Sequence, residues 1–179
     1  SDLAISFTYS GIFSEQVAMA LKKIGSHLQV SRVYIFEDTQ DGKATCNTFE
    51  WCNDGIAPQI DDLQGIPYEV IPSWPKLLDR EGRIYTRNIQ QLPDDLIAIL
   101  EPQGILSLLV YPLVINGHRF GFMGFDECQM EREWKLFELE FLRTITGIVS
   151  TVFERHQKDD QIEVGAKNFR SLFETIGDL

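Results

Sequence analysis

The chain has 179 residues, of which 44% are hydrophobic and 24% charged, and its formal net charge is −11. This length and composition predict one globular domain with a substantial core and a short additional segment. An acidic surface of this size repels phosphate backbones, so nucleic-acid binding is disfavoured. The longest apolar run, 105–115, contains Pro112 and is shorter than the roughly 20 residues of a membrane span. We expect a cytoplasmic segment without membrane contact, since no signal peptide is visible.

The N-terminal part is predicted to form a helix followed by a β-hairpin. Residues 13–28 carry apolar side chains at helical spacing, and Ser14 is placed to cap that helix. Residues 30–38 are rich in β-branched and aromatic side chains, as is typical of a strand. The turn residues TQDG at 39–42 then lead into a partner strand at 43–52.

Strict alternation along the second strand predicts which side chains share a face. Thr45, Asn47, Phe49 and Trp51 are expected on one face and the intervening residues on the other. The cysteines are Cys46, Cys52 and Cys128, and such an odd, sparse set fits a reducing compartment. Six residues of strand separate the first two by roughly 20 Å, so they should not form a disulfide.

A long proline-rich connection follows at residues 53–104. It carries three short amphipathic pieces and one predicted strand, and connections of this length usually cover or bind something. The amphipathic pieces are 59–64, 73–81 and 94–103, and the strand is 83–89.

The C-terminal part begins with a second hairpin at 104–128, turning at Asn116-Gly117. A long helix is predicted at 133–157. Its apolar stripe consists of Trp134, Phe137, Phe141, Ile145, Ile148, Val152 and Phe153. Together these elements predict an α+β fold: an antiparallel sheet of five or six strands, with terminal helices on one face and the long helical connection on the other.

This order of elements resembles a GAF domain of bacterial sensory proteins, a PAS-related fold. The resemblance rests on VSRVYIFE, FEWCNDGIAPQIDDLQGIP, QGILSLLVYPLVINGHRFGFMGFDE and the Arg-Trp pair of REW at 132–134. It implies a GAF sensor domain over 1–158, with terminal helices at 13–28 and 133–158. Where many members have Ser or Thr after this tryptophan, the chain has Lys135, which leaves the cap of the last helix open.

The C-terminal stretch NFRSLFETIGDL, residues 168–179, resembles the opening of a PAS domain. Residues 159–167 are then predicted to be a helical linker. The family resemblance implies a module for signal transduction, in a two-component system for instance. Such a module binds a small molecule or relays a signal to an output domain outside this chain, of the histidine kinase or diguanylate cyclase type.

The aromatic residues of the connection and its neighbouring strands predict a ligand pocket between sheet and covering segments. The candidate ligand-binding residues are Trp51, Tyr68, Trp74, Tyr85, Phe122 and Asp126. The alternative is a core without a cavity. Phe122, Asp126 and Glu127 also match half of the motif of cyclic-nucleotide-binding relatives, but the Asn-Lys pair of that motif is absent.

Catalytic and cofactor signatures are missing from the sequence. It contains no nucleophile elbow, no phosphate-binding loop and no metal-ligand spacing of cysteine or histidine, so we expect no catalytic residues and no metal site within this chain. Bilin attachment in relatives commonly uses a cysteine beside a histidine, and the sequence contains no such pair, although Cys52 lies near the expected pocket. The cofactor, whether bilin, haem or another group, is therefore unknown.

The apolar stripe of the last helix continues through Val152 and Phe153, which favours a homodimer through the terminal helices. The main alternative is a non-sensing dimerisation or spacer module. A less favoured alternative is an enzyme related to methionine sulfoxide reductases on the same fold, which would require a reactive cysteine in the pocket.

Overall fold

The computed structural model describes residues 7, 9–159 and 162–178. Within these ranges, five α-helices and six strands are joined by turns and short 3₁₀ segments. In chain order they are α1 (Gly11–Leu28), β1 (Arg32–Asp38), β2 (Ala44–Cys52), β3 (Ile66–Pro67), α2 (Ser73–Glu81), β4 (Ile84–Thr86), α3 (Asp94–Leu100), β5 (Ser107–Ile115), β6 (His118–Glu127), α4 (Leu136–Asp159) and α5 (Ile162–Gly177).

The six strands form one antiparallel sheet in the order β3-β2-β1-β6-β5-β4, which confirms the predicted α+β class. Helices α1, α4 and α5 pack on one face and the connection packs on the other. Alternation along β1 serves both layers, since Val33 and Ile35 join the helix-side core while Tyr34 and Phe36 join the connection-side core. None of the described helices is long and apolar enough to cross a membrane.

The first helix begins two residues before the predicted start, and Ser14 is not its cap. The Oγ of Ser10 accepts a hydrogen bond from the backbone N–H of Phe13 at 3.2 Å. Phe13 is itself buried in the helix-side core, so packing of its ring extends the helix toward the N-terminus. The sequence offered two serines in the right place, and burial of the first turn selects the earlier one.

The predicted face assignment of β2 is wrong because the strand contains a β-bulge. Ile35 pairs with Phe49 while Phe36 pairs with Asn47, so Thr48 is an extra residue in the ladder. Beyond the bulge, Phe49 and Trp51 contact the helix-side core. Before the bulge, Thr45 faces the connection.

The second hairpin agrees with its prediction. Asn116 and Gly117 have φ values of 53° and 76°, the positive values that a tight two-residue hairpin turn requires. The connection is less regular than predicted. Helix α2 matches residues 73–81, whereas residues 59–64 form turns and the predicted strand 83–89 shortens to β4.

Helix α4 begins without the usual Ser or Thr cap. The side chain of Glu138 instead accepts a hydrogen bond from the backbone N–H of Lys135 at 3.0 Å, which is half of a capping box. The predicted apolar stripe is only partly correct. Trp134, Ile145, Val152 and Phe153 are buried, but Phe137 is 67% exposed. Phe141 and Ile148 are half-buried, and the buried face is completed by Leu139, Leu142 and Val149.

Helix α5 packs against α1 and α4. Phe169, Leu172 and Ile176 are buried in the helix-side core. Residues 168–177, where the sequence resembles the opening of a PAS domain, are thus the second part of this helix. Of the predicted linker 159–167, residues 160–161 lie outside the described residues, and the PAS assignment stays a prediction.

Candidate functional site

A small apolar cavity lies between the sheet and the connection, where the sequence predicts a pocket. Its volume is about 40 Å³. Phe36 and Phe122 stack at 4.7 Å between ring centroids, and Trp74 packs on Phe122 at 5.1 Å. A volume of this size holds about one water molecule, whereas drug-sized ligands need roughly 300–1,000 Å³. The cavity is lined by Tyr34, Phe36, Thr45, Leu63, Ile66, Ile71, Trp74, Ile99, Leu100, Gln103 and Phe122.

The structure brings together only some of the six predicted site residues. Trp74 and Phe122 line the cavity. Asp126 lies behind it, where one carboxylate oxygen accepts a hydrogen bond from the Tyr34 hydroxyl at 2.9 Å. Tyr68 lies in the connection-side core but outside the cavity lining, and its hydroxyl donates to Asp38 at 2.6 Å.

The other two predicted site residues lie on the opposite face of the sheet. Trp51 follows the bulge of β2, and its ring occupies the space where a side chain on Gly25 of α1 would stand. Tyr85 packs against the helix-side core, and its hydroxyl accepts a hydrogen bond from the Trp134 N–H at 2.8 Å. Both residues therefore connect the sheet to the terminal helices and do not line the cavity.

A buried ion pair that the sequence analysis missed stands behind the cavity. Nε of Arg32 lies 3.5 Å from Oδ2 of Asp126. The terminal nitrogens of Arg32 donate to the carbonyl oxygens of Ala57, at 3.1 Å, and Gln103, at 2.6 Å. One of them also contacts Sγ of Cys128 at 3.0 Å. Arg32 thus attaches both ends of the connection to the sheet. An arginine directly before the apolar run VYIF of β1, with an aspartate near the end of β6, was the available signal.

The buried position of this ion pair changes its acid–base behaviour. Burial raises the pKa of Asp126 to about 7, while the Arg32 guanidinium and the Tyr34 hydroxyl oppose that rise. Burial also raises the pKa of Tyr34, and the neighbouring Asp126 carboxylate adds to the effect. The phenol of Tyr34 therefore stays protonated and acts as a hydrogen-bond donor.

Two of the three cysteines lie where burial disfavours the thiolate form. All three are free, in agreement with the prediction that Cys46 and Cys52 do not bridge. Burial, with Glu50 nearby, raises the pKa of Cys52 to about 12, and burial also raises the pKa of Cys128. A thiol with a raised pKa carries little of the nucleophilic thiolate at neutral pH. Within the described part of the chain, no three histidine, cysteine, aspartate or glutamate side chains are grouped so as to hold a metal ion.

The curled six-stranded sheet between a helical layer and a covering connection defines a GAF-like α+β domain. The GAF domain family model matches residues 13–153, and the chain belongs to this family. Among curated proteins, it is 34% identical over 163 residues to the "Methanogenesis regulatory histidine kinase FilI" of Methanothrix harundinacea (strain 6Ac). That alignment covers 89% of this chain but only 18% of the relative's length.

Solved structures show the same fold at lower sequence identity. The blue-light-absorbing form of the Thermosynechococcus elongatus PixJ GAF domain superposes with a TM-score of 0.70 at 20% identity, covering 86% of this chain and 92% of that one. A domain of a putative two-component sensor histidine kinase from Sinorhizobium meliloti 1021 gives a TM-score of 0.64 at 17% identity, covering 83% and 95%. These similarities establish the fold alone.

Proposed function

We propose that this chain is a regulatory GAF module that relays a signal to a histidine-kinase-type output domain outside the segment. The 34% identity to a regulatory histidine kinase over 89% of the chain carries this proposal. Within the proposal, the segment works in the cytoplasm, and residues 168–179 lead into a PAS domain. The alternative output domain is a diguanylate cyclase, but the similarity to a histidine kinase favours a kinase output.

The contacts around Arg32 support a route from the connection to the helices. The ends of the connection bind Arg32, whose strand lies centrally in the sheet. On the other face of the same sheet, Trp51 packs on α1, and the Tyr85 hydroxyl accepts a hydrogen bond from the backbone N–H of Trp134, two residues before α4. A ligand that enlarged the cavity beside Trp74 and Phe122 would displace the connection and bias the packing of these helices.

Native mass spectrometry of the purified protein tests the ligand part of this proposal. A retained small molecule that is lost in Phe122→Trp, where the larger ring fills the cavity, would support sensing through this site. Phe120→Trp is the matched control, because Phe120 lies on the same strand but packs against the helix side. Protein that carries no small molecule in any preparation would favour the spacer alternative, which the cavity volume of about 40 Å³ already supports.

Homodimerisation through the terminal helices is part of the same proposal. Exposed apolar side chains occur on both α1 and α4, among them Met19 at 59%, Leu136 at 75% and Phe137 at 67% exposure. Phe and Met are enriched at protein interfaces, although single exposed apolar side chains are also normal on protein surfaces. We expect the wild type to dimerise in sedimentation velocity and Met19→Ser/Phe137→Ser to shift toward monomer. A wild type that stays monomeric at high concentration would contradict this part.

We further propose that the chain itself is not an enzyme. The raised pKa values of Cys52 and Cys128 argue against the reductase alternative, which requires a thiolate in the pocket. Replacing all three cysteines by serine should leave any measured reductase activity of the full-length protein unchanged. Loss of such an activity in the triple variant would reinstate the enzyme hypothesis.

A further inference from the structure

A second, wider cleft lies at the outer edge of the sheet, beside β4, the last strand in the sheet order. Its volume is about 650 Å³, within the range of small-molecule sites. The end of α2, strands β4 and β5, and helix α4 all contribute to its walls. This cleft is separate from the cavity between sheet and connection, with which it shares no lining residue.

Arg83 in this cleft differs from the other arginines that are removed from solvent. Four arginines among the described residues are buried or half-buried. Arg32 pairs with Asp126, Arg119 with Asp38 and Asp79, and Arg132 with Glu127 and Glu138. For Arg83, no described carboxylate lies within the 4.0 Å of an ion pair. In a protein with a net charge of −11, a half-buried guanidinium without an acidic partner is unexpected.

The protein satisfies Arg83 only weakly. Its Nη1 lies 3.5 Å from the Tyr111 hydroxyl oxygen, a long contact, and its guanidinium stands 5.7 Å from the centre of the Tyr85 ring. The Tyr111 hydroxyl donates its own proton to the carbonyl oxygen of Leu139 at 2.7 Å. Most of the five donors of Arg83 therefore remain free to bind an anion.

The other charges of the cleft limit the anion to one negative charge. Arg143 is neutralised by Glu140 at 2.8 Å, and Glu81 by Arg80 at 2.8 Å. The remaining excess is the single positive charge of Arg83. Leu77, Leu92 and the Tyr85 ring supply apolar surface beside the polar groups of the cleft. A carboxylate on an apolar body matches both features, because guanidinium binds carboxylate with two parallel hydrogen bonds.

We propose that this cleft is a binding site for a small amphiphilic monocarboxylate, with Arg83 as the residue that recognises the carboxylate. A ligand there would touch Arg143 of α4 and the Tyr111 side chain that is bonded to α4 at Leu139. The site therefore has direct access to the last long helix without passing through the cavity. The proposal concerns binding and does not depend on the signalling role proposed above.

Octanoate is a suitable probe, with octanamide as its neutral counterpart. Amide NMR titrations should show saturable shifts around Arg83 and Tyr111 with octanoate at millimolar concentrations and much weaker shifts with octanamide. Arg83→Gln should weaken octanoate binding roughly ten- to a hundredfold, the contribution of hydrogen bonds to a charged group. Arg87→Gln is the matched control, because it removes the same charge four residues away, on a side chain that is 61% exposed and outside the cleft.

Three results would overturn the proposal: equal binding of octanamide and octanoate, an unchanged affinity in Arg83→Gln, or no saturable shift at the cleft. If Arg83→Gln failed to fold, the comparison of the two probes on the wild type would still decide. Arg83→Lys, which keeps the charge but loses the two-pronged geometry, should bind octanoate with intermediate affinity.

Discussion

Nε of Arg32 lies 3.5 Å from Oδ2 of Asp126, and both side chains are only 1% exposed. The same guanidinium donates to the carbonyl oxygens of Ala57 and Gln103, near the two ends of the connection. One buried cation therefore joins two sheet strands to a covering segment that is otherwise distant in sequence. Removing Arg32 therefore breaks the ion pair and the attachment of the connection together.

Replacing Arg32 by Met should lower the free energy of unfolding by roughly 3–5 kcal/mol near pH 8, because one partner of a buried pair is lost. The carbonyl oxygens of Ala57 and Gln103 would also lose their donors. Urea denaturation measures the change. Arg80→Met, which removes an arginine from an exposed pair, should cost about 1 kcal/mol or less. Equal costs for the two variants would contradict the role of Arg32.

The pKa of Asp126, raised to about 7, predicts how stability depends on pH. Its unfolded value is near 3.9, so the native state binds the additional proton between about pH 4 and pH 7. The stabilisation from this group is fully present below that window and is lost as the pH rises through 7. As the pH increases from 4 to 7, the unfolding free energy of the wild type should therefore fall relative to that of Asp126→Asn.

Asp41 provides the control of opposite sign for this titration. The Lys43 backbone N–H and the Thr39 hydroxyl lower the pKa of Asp41, so its stabilisation is present above the unfolded pKa and is lost on acidification. Relative to Asp41→Asn, the wild type should gain stability as the pH rises through the range in which the Asp41 carboxyl group ionises. If the stability of the wild type relative to Asp126→Asn also rose with pH, the effect of Arg32 on the pKa of Asp126 would be larger than the effect of burial.

Gly124 on β6 makes room for the ring of Tyr34, the donor to Asp126. A Cβ atom at position 124 would stand 2.2 Å from that ring. We expect Gly124→Ala to destabilise the protein by about 1–3 kcal/mol, because the buried ring must move and its hydrogen bond to Asp126 is disturbed. Gly147→Ala is the matched control in α4, where nothing lies within 4 Å of the added methyl group. That variant should gain about 0.5–1 kcal/mol, and thermal unfolding distinguishes the two.

The raised pKa of Cys52, about 12, predicts slow alkylation. At pH 8 its reaction with iodoacetamide should be roughly a hundredfold slower in the native protein than in urea, because little thiolate forms. Peptide mapping of timed samples gives the rate. A native rate close to the unfolded one would show that the thiol is activated, and would revive a redox role for this position.

The sequence was sufficient for features that depend on local chemistry. The hairpin at Asn116-Gly117, the period of α1 and the amphipathic α2 follow from turn preference and spacing, and the antiparallel α+β layout follows from their order. Features that depend on tertiary packing were not accessible in this way. Phe137 fits the apolar stripe of α4 as well as Phe141 does, yet only the shape of the neighbouring layer decides that it is exposed.

The candidate site was predicted less well than the fold, for a related reason. Trp74 and Phe122 line the cavity, since Trp74 belongs to the connection and Phe122 faces it, and their role in ligand binding stays a prediction. Trp51 and Tyr85 lie on the other face of the sheet, because side-chain direction in a strand depends on parity. The residues around Thr48 do not predict the bulge, which exchanges the faces of the side chains that follow it in β2. The partnership of Arg32 with Asp126 spans 94 positions and becomes visible only when β1 and β6 pair.

The bulge at Thr48 also determines how this strand can change without loss of the fold. Substitutions at Thr48 keep the number of residues and therefore keep every neighbour on its side of the sheet. Deleting Thr48 would remove the extra residue and restore a regular ladder, with Thr45 still facing the connection and Phe49 still facing the helices. Inserting a residue elsewhere in β2 would reverse the faces on one side of the insertion, so natural length variation in this strand is expected at the bulge and in the turn.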